Sequence, residues 1–197
     1  MLSQFILYIR HRLRAGHRKG WGIHPPFAFR FVSEVIFGDN VRGWEKIEEL
    51  RISLSGNKEQ LEIQDYGAGS KLSQRERRSV QELVRGTAVS RRKGQLLARI
   101  AAWIQPSVIL ELGTGTGFSS LYMSLGSPDS KILSCEGSEA IANLARKNLG
   151  VPGAGNVSIS AAKFMDWLPG AMKQTGSELM VFLDGDHRGE RFLAYCR

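Results

Sequence analysis

The stretch VILELGTGTGFSS, residues 108–120, decides the reading of this chain. Its first five residues are an apolar run broken only by Glu111. Three alternating glycines follow, Gly113, Gly115 and Gly117. An apolar run of this length, bounded by glycine, suits a strand buried on both faces. Glycines between a strand and a helix let a ligand approach the backbone, and the helix N-terminus favours an anionic group. The spacing is GxGxG. A dinucleotide fingerprint, GxGxxG, would need its third glycine at position 118, which is Phe118. That mismatch disfavours a nicotinamide oxidoreductase. An acid two places before the first glycine suits a ligand with a cationic group better than a pyrophosphate.

Downstream, the pattern predicts a helix at 118–125, a strand at 131–135 and a helix at 138–149, stopped by Gly150 and Pro152. A strand at 156–160, a helix at 163–173 and a strand at 178–183 come next, and Arg188 starts a last helix. Four strands alternate with helices, so the expected fold class is α/β: a Rossmann-like parallel sheet with right-handed crossovers. Because Arg197 comes 14 residues after Leu183, the sheet is expected to lack its final strands. Its edge beside 178–183 would then be unpaired, partly apolar and a route to self-association.

Glu136 stands at the tip of the second strand, 19 residues after Gly117. A carboxylate there can accept both ribose hydroxyls. A ribose acid, a glycine loop and Glu111 together suit adenosine carrying a positively charged amino-acid tail, which describes S-adenosylmethionine.

Upstream, the chain is basic and mainly helical. Residues 1–90 read as an extension or cover, and residues 91–197 as the cofactor domain. Leu2, Phe5, Ile6, Ile9 and Leu13 recur at helical spacing. Pro26 suits a helix start, and Phe27, Phe31, Val35 and Ile36 would form that helix's inner face. Helical patterns continue over 42–51, 73–85 and 91–104, the last with Leu96, Leu97, Ile100 and Ile104 inward. Between them, Leu61 and Ile63 begin a short strand that ends in Asp65-Tyr66-Gly67-Ala68-Gly69. This DxGxG is a second glycine-rich turn, but no strand with a terminal acid follows it, and it reads as a loop or hairpin.

The 197 residues are 42% hydrophobic and 23% charged, ordinary globular composition for one domain with an appendage. Two cysteines, Cys135 and Cys196, exclude a disulfide scaffold, and neither has zinc-site spacing. No apolar run is long enough to span a bilayer, and the N-terminal apolar stretch precedes its charges, so the expected location is cytoplasmic. The net charge of +8 is uneven: +9 over residues 1–99 and −1 over the rest. Such a basic half suits an anionic small-molecule acceptor. RNA or an acidic surface remains open as a partner, without an RNP or helix-turn-helix signature to favour it.

The region from roughly residue 93 to 195 resembles the class I S-adenosylmethionine-dependent methyltransferases, nearest the catechol and caffeoyl-CoA type of O-methyltransferase and their bacterial relatives. ELGTGTGFSS resembles their first motif and Glu136 their ribose acid. FMDWLP at 164–169 resembles the segment after their third strand, and FLDGDHRGE at 182–190 their fourth-strand motif. GIHPPFAFRFV and DYGAGS resemble an extension in a bacterial subgroup of unknown substrate.

The resemblance implies cofactor binding by Glu111, Gly113, Thr114, Gly115, Gly117, Glu136, Phe164 and Asp184. Where the family usually holds adenine with an acid or amide, Ala161, Ala162 and Lys163 stand instead, so either backbone groups and Phe164 take that role or the site is weakened. Asp184 and His187 are the catalytic candidates, His187 as a base for an acceptor hydroxyl. In metal-dependent relatives the matching aspartate binds magnesium. A divalent metal stays open here, but no metal ligand is assigned. The implied activity is methyl transfer to oxygen. The rival is a catalytically inactive relative that uses its basic half to bind RNA or an acidic partner.

Overall fold

The computed structural model describes residues 25–63, 77–150 and 154–185, with Ile6 and Arg10 ahead of them, both helical. The rest of the helix expected at the N-terminus, the DYGAGS stretch, Asp186, His187 and the helix expected from Arg188 lie outside the described residues. The chain divides into two compact units, Met1–Asn40 and Val41–Arg197. The boundary read from sequence at residue 90 falls inside the second unit.

In the first unit, helix α1 (Pro26–Arg30) opens with proline in its first turn and continues as a π-helical turn, Phe31–Ile36. Proline suits that position because it lacks an N–H that the helix would leave unpaired anyway. The apolar face expected there is only partly inward: Val35 is buried, while Phe27 and Ile36 are exposed.

The second unit begins with α2 (Glu45–Leu54), a two-stranded antiparallel pair of β1 (Gln60–Glu62) and β2 (Arg77–Ser79), and α3 (Val80–Thr87). Here the expected helix over 73–85 is corrected. Residues 77–79 pair with β1, and the helix starts only at Val80. Ser79 sets that start: its hydroxyl accepts the Glu82 amide, and Glu82 accepts the Ser79 amide in return. This reciprocal cap satisfies two otherwise unpaired donors. Helix α4 (Arg91–Ile104) follows. Its buried stripe is Gly94, Gln95, Leu97, Ala98 and Ala101, and Ile104 is exposed rather than inward. The small residues win the inner face because α4 lies tight against the helix after the glycine turn. A Cβ on Gly94 would sit 2.3 Å from the Tyr122 ring.

The remaining elements are β3 (Val108–Leu112), α5 (Phe118–Gly126), β4 (Lys131–Glu136), α6 (Glu139–Asn148), β5 (Val157–Ala161), α7 (Phe164–Met172) and β6 (Leu179–Leu183). Each matches its sequence expectation to within a residue or two. The four long strands form one parallel sheet in the order β5-β4-β3-β6. Strand β3 is buried throughout, as a central parallel strand should be. Ile109 and Ile132 face Leu97, Ala101 and Met123 on one side of the sheet. Val108, Leu110 and Leu133 face Ala171, with Trp167 and Leu168 of α7, on the other. Burying each such side chain stabilises the fold by about 1.5–3 kcal/mol. Among the described residues β6 pairs only with β3, and its Val181 is 48% exposed. Among those residues, no helix is long and apolar enough to cross a membrane.

The chain leaves β3 for β4 and β5 on one side, then crosses to β6 on the other. Strand order therefore reverses at β3, and the carboxyl ends of β3, β4 and β6 frame the crevice where open α/β sheets bind ligands.

Candidate active site

The glycine turn follows directly from the end of β3. Gly113 and Thr114 both donate to the Cys135 carbonyl, at 2.9 and 3.2 Å, and the Asp184 amide donates to the Leu112 carbonyl at 2.9 Å. The tips of β3, β4 and β6 are thereby tied together. Gly113 takes φ +105°, and a Cβ there would lie 2.8 Å from the Gly185 nitrogen. No side chain fits. Gly117, at φ +86°, caps α5 from the left-handed region, which glycine occupies at little cost. It offers no side chain to the first amides of α5, so those donors carry no side-chain cap. Asn148 of α6 holds the turn from behind, donating to the Thr116 carbonyl at 2.9 Å.

Glu136, half-buried at the tip of β4, accepts the Gly115 amide on one oxygen at 2.9 Å and the Ser138 amide on the other at 3.1 Å. Both oxygens are thus fixed, and each retains acceptor capacity. Asp184, just past β6, is exposed, and Phe164 opens α7. A Cβ on Gly185 would lie 2.8 Å from the Phe164 ring, so the ring rests against the Asp184–Gly185 backbone.

Glu111 is fully buried. One carboxyl oxygen accepts from Ser120 and, at 2.6 Å, from Ser134. Since Ser134 donates there, Thr114 must donate to Ser134 across their 2.5 Å contact. The other oxygen has no partner among the described residues, and neither does the buried Thr116 hydroxyl. Burial pushes the Glu111 pKa up to about 7. The hydroxyls of Ser119, Ser120 and Ser134 hold it down, and the charge of Asp184 pushes it further up.

Around one crevice, then, stand Gly113, Thr114, Gly115, Gly117, Glu136, Phe164 and Asp184, with Glu111 beneath the turn. His187 lies outside the described residues. Among those residues no cluster of three His, Cys, Asp or Glu groups is placed to hold a metal. Sequence reading missed four contributors: Ser120, Ser134, Asn148 and Thr87. A Cβ on Gly115 would lie 3.4 Å from the Thr87 hydroxyl. Ser134 carried a weak signal, a polar residue inside an apolar strand. Asn148 and Thr87 carried none.

A parallel sheet with a glycine turn, a bare helix N-terminus and an acid on the next strand defines a Rossmann-like nucleotide-binding fold. The family model for O-methyltransferases matches residues 61–193, and the chain belongs to that family. It is 34% identical over 112 residues to a catechol O-methyltransferase of Mycobacterium tuberculosis, covering 56% of this chain and 49% of the relative. The chain thus spans about half the length of the curated relatives it matches. A solved O-methyltransferase from Streptomyces achromogenes, involved in tomaymycin synthesis and in complex with S-adenosylmethionine, is 28% identical with a TM-score of 0.51. That match covers 55% of this chain and 51% of the other. An O-methyltransferase from Bacillus cereus, solved with S-adenosylhomocysteine, superimposes over 84% of this chain and 64% of its own at a TM-score of 0.55. At 19% identity it speaks for the fold alone.

Proposed function

We propose that this chain binds S-adenosylmethionine in the crevice above β3 and β4 and methylates an oxygen on a small, hydroxylated or anionic acceptor. The observation that carries this reading is the Glu136 carboxylate, held by the Gly115 and Ser138 amides. An acid locked onto the glycine turn from the neighbouring strand tip suits ribose recognition. The cradle also fits the rest of the cofactor. The bare N-terminus of α5 suits the carboxylate of the methionine tail. The unpartnered oxygens of Glu111 and Thr116 leave acceptor capacity beneath the turn. Phe164 offers an aromatic wall for adenine.

When bound, this cofactor supplies a methyl group activated on a sulfonium. The chain's own residues position donor and acceptor and exclude water. Asp184 orients the acceptor at the mouth of the crevice, and His187 takes the acceptor's proton. A divalent ion at Asp184 is an alternative way to lower the acceptor's pKa. The proposed location is the cytoplasm, and β6, which pairs only with β3 among the described residues, is the proposed route to self-association.

The test is calorimetry with S-adenosylmethionine, S-adenosylhomocysteine and NAD, followed by methyl transfer to a panel of catechols. Binding of either sulfur compound with transfer to a catechol is expected. Tighter binding of NAD overturns the reading. Exposed Arg91, Arg92 and Lys93 at the start of α4 favour a second reading, a methyltransferase-like module for RNA or an acidic partner. Its signature is RNA binding without transfer.

A further inference from the structure

Arg51 of α2 meets three separate parts of the second unit. Its Nε donates to both oxygens of Glu48, each at 3.0 Å. One terminal nitrogen donates to the Val89 carbonyl at 2.7 Å. The guanidinium carbon lies over the Phe118 ring, 4.2 Å from its centroid. The Tyr122 hydroxyl, one turn further along α5, donates to Glu48 at 2.8 Å. These contacts are well shielded, with the Arg51 and Glu48 side chains each 18% exposed.

The placement matters more than the number of contacts. Phe118 is the first residue of α5 and follows Gly117 directly. Val89 lies in the short connector between α3 and α4. Two residues earlier, at the end of α3, the Thr87 hydroxyl lies 3.4 Å from where a Gly115 Cβ would stand. The same side chain therefore grips the segment beside the glycine turn and the first ring after it. Only a planar fork can serve a carboxylate, a carbonyl and an aromatic face together. A lysine is a compact point charge and cannot hold all three partners at once.

We propose that Arg51 is a positioning residue for the cofactor site, tying the 87–90 segment, the end of α3 and the connector after it, to the start of α5 so that the glycine turn keeps its binding shape. The inference rests on the proposed S-adenosylmethionine site and adds to it a residue far from the glycine motif in sequence. Arg51 needs no contact with the cofactor to act this way. Removing the fork frees the connector and the first turn of α5 to move independently, and the affinity falls because the turn must then be ordered on binding.

The full 197-residue chain is compared with Arg51→Lys and Asn156→Ala. Asn156 bonds Ser127, Ser130 and, in the last turn of α5, Ser124, all at the opposite, amino end of the strands and away from the glycine turn, so its loss reports on stability alone. S-adenosylhomocysteine binding is measured by calorimetry, stability by thermal melting and local order by amide exchange. Arg51→Lys is expected to weaken S-adenosylhomocysteine binding about tenfold, as coupled contacts do. It should retain most of its thermal stability and speed exchange in residues 87–90 and 115–119. Asn156→Ala should lose stability and keep wild-type affinity. Wild-type affinity in Arg51→Lys, or an affinity loss that follows melting temperature across both variants, overturns the inference. Failure of the wild-type chain to bind S-adenosylhomocysteine overturns the proposed function instead. The exchange data then decide the Arg51 tie separately, and unchanged exchange in those two segments overturns it.

Discussion

The Glu136 carboxylate accepts the Gly115 amide at 2.9 Å, which joins the acid of one strand to the glycine turn of its neighbour. Loss of that carboxylate removes the proposed ribose acceptor and also releases the turn. Glu136→Ala is expected to weaken S-adenosylhomocysteine binding by on the order of 1.5–3 kcal/mol. Calorimetry reads this directly, and unchanged affinity would remove Glu136 from the site.

The glycines of the turn are unequal. Gly113 sits at φ +105° with the Asp184–Gly185 backbone under 3 Å from any Cβ, while Gly115 sits at φ +52° with a side chain 3.4 Å away. Alanine at 115 meets only the left-handed penalty, about 1 kcal/mol. Alanine at 113 adds a backbone collision to strain of roughly 1–3 kcal/mol. Thermal melting should therefore show a clearly larger loss for Gly113→Ala than for Gly115→Ala.

Burial raises the Glu111 carboxyl from its ordinary value to about 7. The unfolded chain gives up this proton near the ordinary carboxylate range, whereas the folded chain holds it until near neutrality. Between those values the native state binds more protons, so stability falls as pH rises through the window and levels off above it. The effect is on the order of 3 kcal/mol at most. Urea titrations at pH 5 and pH 8 should show the wild type losing stability with rising pH. Glu111→Gln should show a flatter profile. Equal slopes for the two proteins would count against a buried, proton-holding Glu111.

Helix α5 ends at Gly126, where a Cβ would lie 2.0 Å from the Ala98 carbonyl oxygen. Gly126→Ala forces α4 and α5 apart and is expected to cost about 1–3 kcal/mol or more. Gly155 has nothing within 4 Å of its Cβ position. Its replacement by alanine should be neutral or mildly stabilising, within about 1 kcal/mol. The two melting temperatures, compared side by side, test whether α4 packs on α5 as tightly as described.

Much of this protein is legible without coordinates, because its sheet is built from local signals. The run 108–112, the alternating glycines and Glu136 announce a buried strand, a tight turn and a strand-tip acid through composition and spacing alone. Each depends on neighbours in the chain: apolar residues needing cover on both faces, and glycines needing positive φ. The sequence thereby determined the α/β alternation, the element boundaries in the second half and the core of the proposed cofactor site. Helical periodicity misled over 73–85, where Arg77, Arg78 and Ser79 pair with Gln60, Leu61 and Glu62 across the sheet. A strand of three residues has no periodicity to display, and its partner sets it. Tertiary structure alone decided that Arg51 would reach Val89 and Phe118, that Asn148 would hold Thr116, and that Glu111 would turn into a ring of hydroxyls. Those contacts join residues 9 to 67 positions apart. No local pattern encodes them, because they exist only once helices have docked on the sheet and desolvated the groups they bring together.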